Sequence, residues 1–275
     1  MLGELYCSHI YLNYFHCLHF VYIGEIIMSE NKITLPYRLA LCGEYIDCCY
    51  VNMYSEGSMI TVMIKPTHEF AQRCGMATGT RYVASLLWGD KIPDKDKNEL
   101  AQDLFKTETE SFKTSVGVVD ALGMVFPGCC KIHFKKFSSW ADTIETISDQ
   151  ESLQFIKDHV FLIQLHPRIY DFSVFNRPTI SPYPVNFIAQ SSEMCWEAIK
   201  ERNVEKLGEA MNMCYKNQVA IFPLIETDEV FEARNKLRSS VYGSKLTGAG
   251  GGGYLIVIAD TPPENALQIE PVGLN

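Results

Sequence analysis

Six residues separate Thr247 from Tyr254, and five of them are glycines: Gly248, Gly250, Gly251, Gly252 and Gly253. Glycine loses more backbone entropy on ordering than any other residue, so a run this dense implies that something approaches the backbone too closely for side chains. The run begins as Gly243-Ser244-Lys245-Leu246 and is followed by the apolar Tyr254-Leu255-Ile256-Val257-Ile258, which reads as a strand closed by Pro262-Pro263. Before it, residues 229–241 carry Val230, Ala233, Leu237 and Val241 at helical spacing. Gly248, Gly250 and Gly253 satisfy G-x-G-x-x-G in form, but a dinucleotide fingerprint has its strand before the glycines and its helix after them. Here the order is reversed, and no G-x-x-x-x-G-K-[ST] loop occurs. Two readings remain open: a tight helix-to-strand turn, or a loop that faces a ligand.

Composition narrows the partners. With 275 residues, 47% hydrophobic and 21% charged, the chain is an ordinary globular protein, long enough for one large domain or two small ones. A net charge of −9 argues against a nucleic-acid partner. Ten cysteines include no C-x-x-C pair, so neither a zinc site nor a redox motif is indicated, and their use as small buried residues fits a reducing, cytoplasmic setting. The first 27 residues contain no Lys or Arg and mix Glu4, Glu25, His9, His16 and His19 into an aromatic stretch. They make a poor signal peptide and a poor membrane span. They are expected to lie outside the core, with Met28-Ser29-Glu30 as a natural start; the other reading is an anchor or targeting segment.

Two further stretches carry chemistry. The first leads from Pro36 through Arg38 into Gly43-Glu44-Tyr45-Ile46-Asp47, a strand with an arginine followed by two carboxylates. Alone, it also fits an exposed strand end with solvated charges. The second, Gly75-Met76-Ala77-Thr78-Gly79-Thr80-Arg81, directly precedes Tyr82, Val83, Leu86 and Leu87, an apolar pattern that ends at Gly89. Small residues at a helix start expose free N–H groups at the positive end of the dipole, a ready site for a phosphate chain. Ordinary N-capping by Thr78 or Thr80 is the alternative.

Taken in order, these stretches and the glycine run resemble the three motifs of the galactokinase, homoserine kinase, mevalonate kinase and phosphomevalonate kinase superfamily, the GHMP kinases. The resemblance covers roughly residues 33–272, and within these three stretches it departs from the family at three points: Tyr37 stands for the usual glycine, Tyr45 for the galactokinase histidine, and Gly-Met-Ala-Thr-Gly-Thr for Gly-Leu-Gly-Ser-Ser-Ala. It implies an α+β fold of two lobes, a two-layer α/β sandwich at 28–158 and a ferredoxin-like lobe at 159–275, with the active site between them. It further implies that Arg38, Glu44 and Asp47 contact the phosphoryl acceptor. ATP would be held by Gly75, Met76, Ala77, Thr78, Gly79 and Thr80 together with Gly248, Gly250, Gly251 and Gly252, and Thr78 would supply a hydroxyl to magnesium.

Other elements follow from pattern. Residues 58–64, 116–119, 130–134 and 160–165 read as strands, and a helix over 97–108 is opened by Asp96 with Glu99 three residues on. Leu207, Ala210, Met211 and Cys214 form one apolar helix face. Within 97–108, Leu100, Ala101, Leu104 and Phe105 define a face on which Glu108 falls near the centre, while Glu110 points away. A carboxylate on a buried face is costly unless paired or bound to a cation, so Glu108 is the second expected magnesium ligand; a frayed last turn reaching water is the other reading. The stretch 117–128 resembles the family segment that carries the catalytic aspartate, with Val119 in place of the usual glutamine. It assigns Asp120 as the base, helped by Arg38, against a plain turn or cap role.

The expected function is ATP-dependent phosphorylation of a hydroxyl on a sugar or sugar phosphate, with magnesium. The spacing of Arg38, Glu44 and Asp47 favours a hydroxyl-rich acceptor. Alternatives are a catalytically silent nucleotide- or sugar-binding relative and a kinase for a non-sugar acceptor such as mevalonate.

Overall fold

A computed structural model describes residues 33–71, 73–112, 117–168 and 178–275. The leader at 1–27 lies outside the described residues. The first sheet joins β1 (Tyr37–Cys42), β2 (Gly57–Ile64), β3 (Cys129–Phe134) and β4 (Thr143–Ile147) in that order, each pair antiparallel. Every residue of β1 and β2 is buried, so these two strands are covered on both faces. The period of two sorts its side chains accordingly. Leu39, Leu41, Ile60 and Val62 join the core with Cys195, Trp196 and Ile199, whereas Ala40 and Met59 join Val118 and Leu122.

Between β1 and β2 lies the short α1 (Cys49–Asn52), and between β2 and β3 run α2 (Thr78–Trp88), α3 (Lys97–Phe112) and α4 (Val118–Val125), which pack on one another. Asp96 opens α3 as expected, its Oδ1 accepting from the amides of Asn98 at 2.9 Å and Glu99 at 3.0 Å. The helix continues past residue 108, which leaves Glu108 inside it rather than in a frayed end.

After α5 (Gln150–His159), capped by Asp149, the second sheet has the order β6-β7-β5-β8, again antiparallel, from β5 (Val160–Gln164), β6 (Gly243–Leu246), β7 (Tyr254–Ile258) and β8 (Leu267–Gln268). The long helices α6 (Pro182–Glu201) and α7 (Val204–Ile221) pack on each other, α7 against β6 and β7, α6 against β1 and β2 of the first sheet. A short helix α8 (Asp228–Leu237), capped by Thr227, precedes β6. The class is thus α+β, two antiparallel sheets layered with helices, and the second half is the expected sheet with a helix pair upon it. Because α6 belongs by sequence to the second half yet covers the first sheet, the halves share one hydrophobic interior.

Three expectations are corrected. Residues 118–119 open α4 rather than forming a strand, Val116 lying outside the described residues; Val118, Val119, Leu122 and Val125 all bury on one core, a helical spacing that a four-residue window hides. The glycine run joins two strands: β6 precedes it, concealed by the polar Ser244 and Lys245, and the helix before it stops at Leu237. In α2 the buried side is Thr80, Arg81, Val83 and Ala84, while Leu86 and Leu87 are 68% and 43% exposed. Arg81 takes the interior place through its polar partners: Nε donates to Leu35 O at 2.8 Å, Nη1 to Tyr37 Oη at 3.0 Å, and the guanidinium lies 3.9 Å above the Tyr37 ring.

Candidate active site

Two glycine loops touch backbone to backbone. A Cβ on Gly75 would lie 2.5 Å from Thr247 O, and one on Gly248 would lie 2.8 Å from Gly75 Cα, so neither position admits a side chain while the loops stay together. Thr247 Oγ1 donates to Cys74 O at 2.5 Å, and the Gly253 amide donates to His166 O at 2.9 Å. Gly250 packs on Ile225, whose carbonyl accepts the Gly251 amide at 3.2 Å, and Gly252 abuts the backbone of His166. Tyr45 ties this loop to the first motif by donating its hydroxyl to Ala249 O at 2.8 Å.

Next to Gly75, α2 begins without a side-chain cap. Its N-cap Ala77 is held left-handed at φ 54°, ψ 37°, and Thr78 Oγ1 accepts the Arg73 amide at 3.2 Å instead of capping. Gly79 and Thr80 complete the first turn, whose amides are the unpaired donors of a helix start. The Met76 side chain turns into the core with Tyr37 and Phe70.

Glu108 is 3% exposed and Glu110 is exposed, as the helix pattern predicts. Thr80, rather than Thr78, bonds Glu108: its hydroxyl donates to Oε1 at 2.8 Å. Glu108 Oε2 is buried with no hydrogen-bond partner. Burial lifts the carboxyl from 4.5 to about 7, against the pull of Thr80 and Arg38. A buried carboxylate oxygen without a partner, beside a hydroxyl and a helix start, fits a divalent cation of the hard, oxygen-preferring kind.

Arg38 on β1 is 5% exposed and forms an ion pair with Asp120 in the first turn of α4. A Cβ on Gly123 would lie 2.3 Å from Arg38 Cγ, so the glycine leaves room for the arginine stem. Burial lowers the Arg38 pKa, and Asp47, Glu44 and Glu108 oppose it, which places Arg38 in the field of all three carboxylates. Its Nε and Nη1 are buried without hydrogen-bond partners.

Glu44 and Asp47 are committed elsewhere in this structure. Glu44, 3% exposed, forms an ion pair with Lys245 of β6, itself 0% exposed, and accepts from Cys214 Sγ at 3.4 Å. Burial opposes the Lys245 charge most strongly, yet Glu44 together with Cys214 and Cys42 outweighs it and the amine stays above its usual range. The Asp47 carboxylate lies against the start of α4, where a Cβ on Gly117 would stand 2.2 Å from its Oδ2. Burial raises Asp47 above the ordinary carboxylate range while Arg38 pulls it down. Sequence reasoning missed Lys245, and no local signal marks it: the lysine sits in a short polar strand whose partner lies 201 residues away.

This arrangement, two antiparallel sheets layered with helices and a glycine loop lying against the start of a helix, is the fold of the GHMP kinases. Solved structures of similar fold include the galactokinase of Lactococcus lactis complexed with galactose, with a TM-score of 0.61, 14% identity and cover of 82% of this chain and 84% of that one. The Streptococcus pneumoniae phosphomevalonate kinase in complex with phosphomevalonate and AMPPNP has a TM-score of 0.59, 11% identity and cover of 83% and 92%. A D-glycero-D-manno-heptose 1-phosphate kinase from Bacteriodes thetaiotaomicron gives 0.55, 12%, and 86% and 95%. Comparison with curated proteins by sequence gives no match. Residues 196–270, which include the glycine run, match the family model of the GHMP kinases C terminal; the chain has the GHMP kinase fold and a C-terminal region of that family. Among the described residues, no helix is long and apolar enough to cross a membrane.

Proposed function

We propose that this chain is an ATP-dependent small-molecule kinase that phosphorylates a hydroxyl of a sugar or sugar phosphate. One observation carries the reading: a buried arginine, paired with Asp120, stands in the field of Glu108, whose second oxygen has no partner. The amides opening α2 take the phosphate chain at the positive end of the helix, and the glycine loop lies against them. Glu108, with the hydroxyl of Thr80 or Thr78, would hold magnesium, which when bound neutralises charge on the phosphate oxygens. Asp120 accepts the proton of the acceptor hydroxyl, and Arg38 orients that carboxylate and offsets charge as the phosphoryl group arrives.

A second reading concerns the acceptor. Glu44 is paired with Lys245 and the Asp47 carboxylate is packed against Gly117 at the start of α4, so the carboxylates that favour a hydroxyl-rich acceptor are engaged within the protein. This favours a non-sugar acceptor such as mevalonate. An ATP-consumption screen with magnesium across sugars, sugar phosphates, mevalonate and homoserine separates these. Turnover of a sugar or sugar phosphate supports the first reading, and turnover of mevalonate alone moves it to the second. ATP binding with no turnover of any acceptor makes the chain a silent relative.

A further inference from the structure

We infer that Asp47 is a positioning residue, which caps α4 from outside the helix and thereby sets where Asp120 stands. The inference rests on the reading of Asp120 as the base. The N-cap of α4 is Gly117, in extended conformation at φ −75°, ψ 133°, with no side chain to satisfy the amides of the first turn. Those amides are orphan donors in any helix. Here the carboxylate of Asp47, 70 residues before Gly117, lies against this helix start, and the nearby Val119 amide favours its charged form.

The fit is steric as well. A Cβ on Gly117 would lie 2.2 Å from Asp47 Oδ2, so any other residue at the N-cap would expel the carboxylate. Negative charge at a helix N-terminus is further favoured by the helix dipole. Asp120 follows Val119 by one residue, its own amide bonded to Gly117 O at 3.3 Å. Arg38 closes the arrangement, paired with Asp120 and held in the field of Asp47. Asp47, the first turn of α4, Asp120 and Arg38 therefore move as one unit, and turning that turn would carry the Asp120 carboxylate away from Arg38. One consequence is that Asp47 does not read the acceptor.

Amide hydrogen exchange over 118–121, together with steady-state kinetics on the acceptor found by the screen, tests this on the full chain. Asp47→Ala is expected to speed exchange at Val119 by about 10-fold, the scale of a lost helix cap. It is expected to lower kcat while acceptor KM stays within about twofold, since no acceptor contact is removed. Asp47→Asn keeps an oxygen for the Val119 amide and should recover most of the protection and of kcat. Gly117→Ala, whose Cβ takes the place of the carboxylate oxygen, should reproduce Asp47→Ala. Unchanged exchange in Asp47→Ala or in Gly117→Ala overturns the cap. A rise in acceptor KM with kcat held, in both the Ala and Asn variants, makes Asp47 an acceptor ligand. Should Asp47→Ala not fold, Asp47→Asn and Gly117→Ala still decide. Exchange needs no turnover, so an inactive protein with a protected Val119 would count against the kinase reading and leave the cap standing.

Discussion

Thr80 Oγ1 donates to Glu108 Oε1 at 2.8 Å and leaves Oε2 of the same carboxylate buried without a hydrogen-bond partner. A helix start and a neighbouring helix thus meet at a half-satisfied acid. In the metal-free protein this acid is held near neutrality, because burial disfavours its ionised form.

Stability should therefore depend on pH in a defined direction. Glu108 titrates near 7 in the folded chain and near 4.5 when exposed, so between those values the folded state keeps a proton that the unfolded state has released. Stability then falls as pH rises through that window and levels off above it, by about 3 kcal/mol at ~1.4 kcal/mol per unit. Urea denaturation in chelator across pH 4 to 8, comparing wild type with Glu108→Gln, measures it. The variant should lack this component, and magnesium at about pH 7.5 should raise the melting temperature of wild type alone. Parallel pH profiles, or equal stabilisation by magnesium, would remove Glu108 from the metal site.

Ala77 occupies the left-handed region at the start of α2, in the position where the family motif has glycine. An L side chain pays roughly 1–2 kcal/mol there, and glycine escapes that at some cost in unfolded-chain entropy. Ala77→Gly should raise the unfolding free energy by about 1 kcal/mol. A loss of similar size, normal for glycine inside a helix, would show that the strain is not real.

The Glu44–Lys245 pair ties the loop after β1 to β6 in the interior. Removing one partner strands a buried charge, so Lys245→Met should cost about 3–5 kcal/mol. Adding Glu44→Gln should return much of that, because the stranded charge is gone. If the two changes are merely additive in urea denaturation, the pair contributes no coupling and Glu44 is free for another role.

What the sequence makes legible is local and periodic. The burial of Glu108 follows from four apolar neighbours on its own helix, and the opening of α3 follows from Asp96 and Glu99 three residues apart. Strands β2, β3 and β5 are rich in branched and apolar residues and are seen from composition alone. The failures are where partners are distant. Strand β6 looks polar because Lys245 is paid for by Glu44, and Leu86 looks buried because nothing local says that Arg81 is held by Leu35 and Tyr37. Likewise the motif at 43–47 names the right residue types, but only the fold shows Asp47 at Val119 and Glu44 at Lys245.

Asp120 carries the claim of catalysis. Its side chain is 30% exposed while that of its partner Arg38 is 6% exposed, so the carboxylate can meet an acceptor from solvent with the arginine behind it. Asp120→Asn keeps the size of the side chain and an oxygen for Arg38, but removes the basic group. Magnesium-ATP affinity, read by calorimetry, should persist, while turnover falls by roughly 10²-fold or more, the usual range for loss of a general base. Affinity and chemistry then separate, as they must if the residue acts on the acceptor proton and not on the nucleotide. Wild-type turnover in the variant would make Asp120 a partner of Arg38 and no more. Joint loss of ATP binding and melting temperature would place it in the scaffold, and the catalytic assignment of α4 would fall with it.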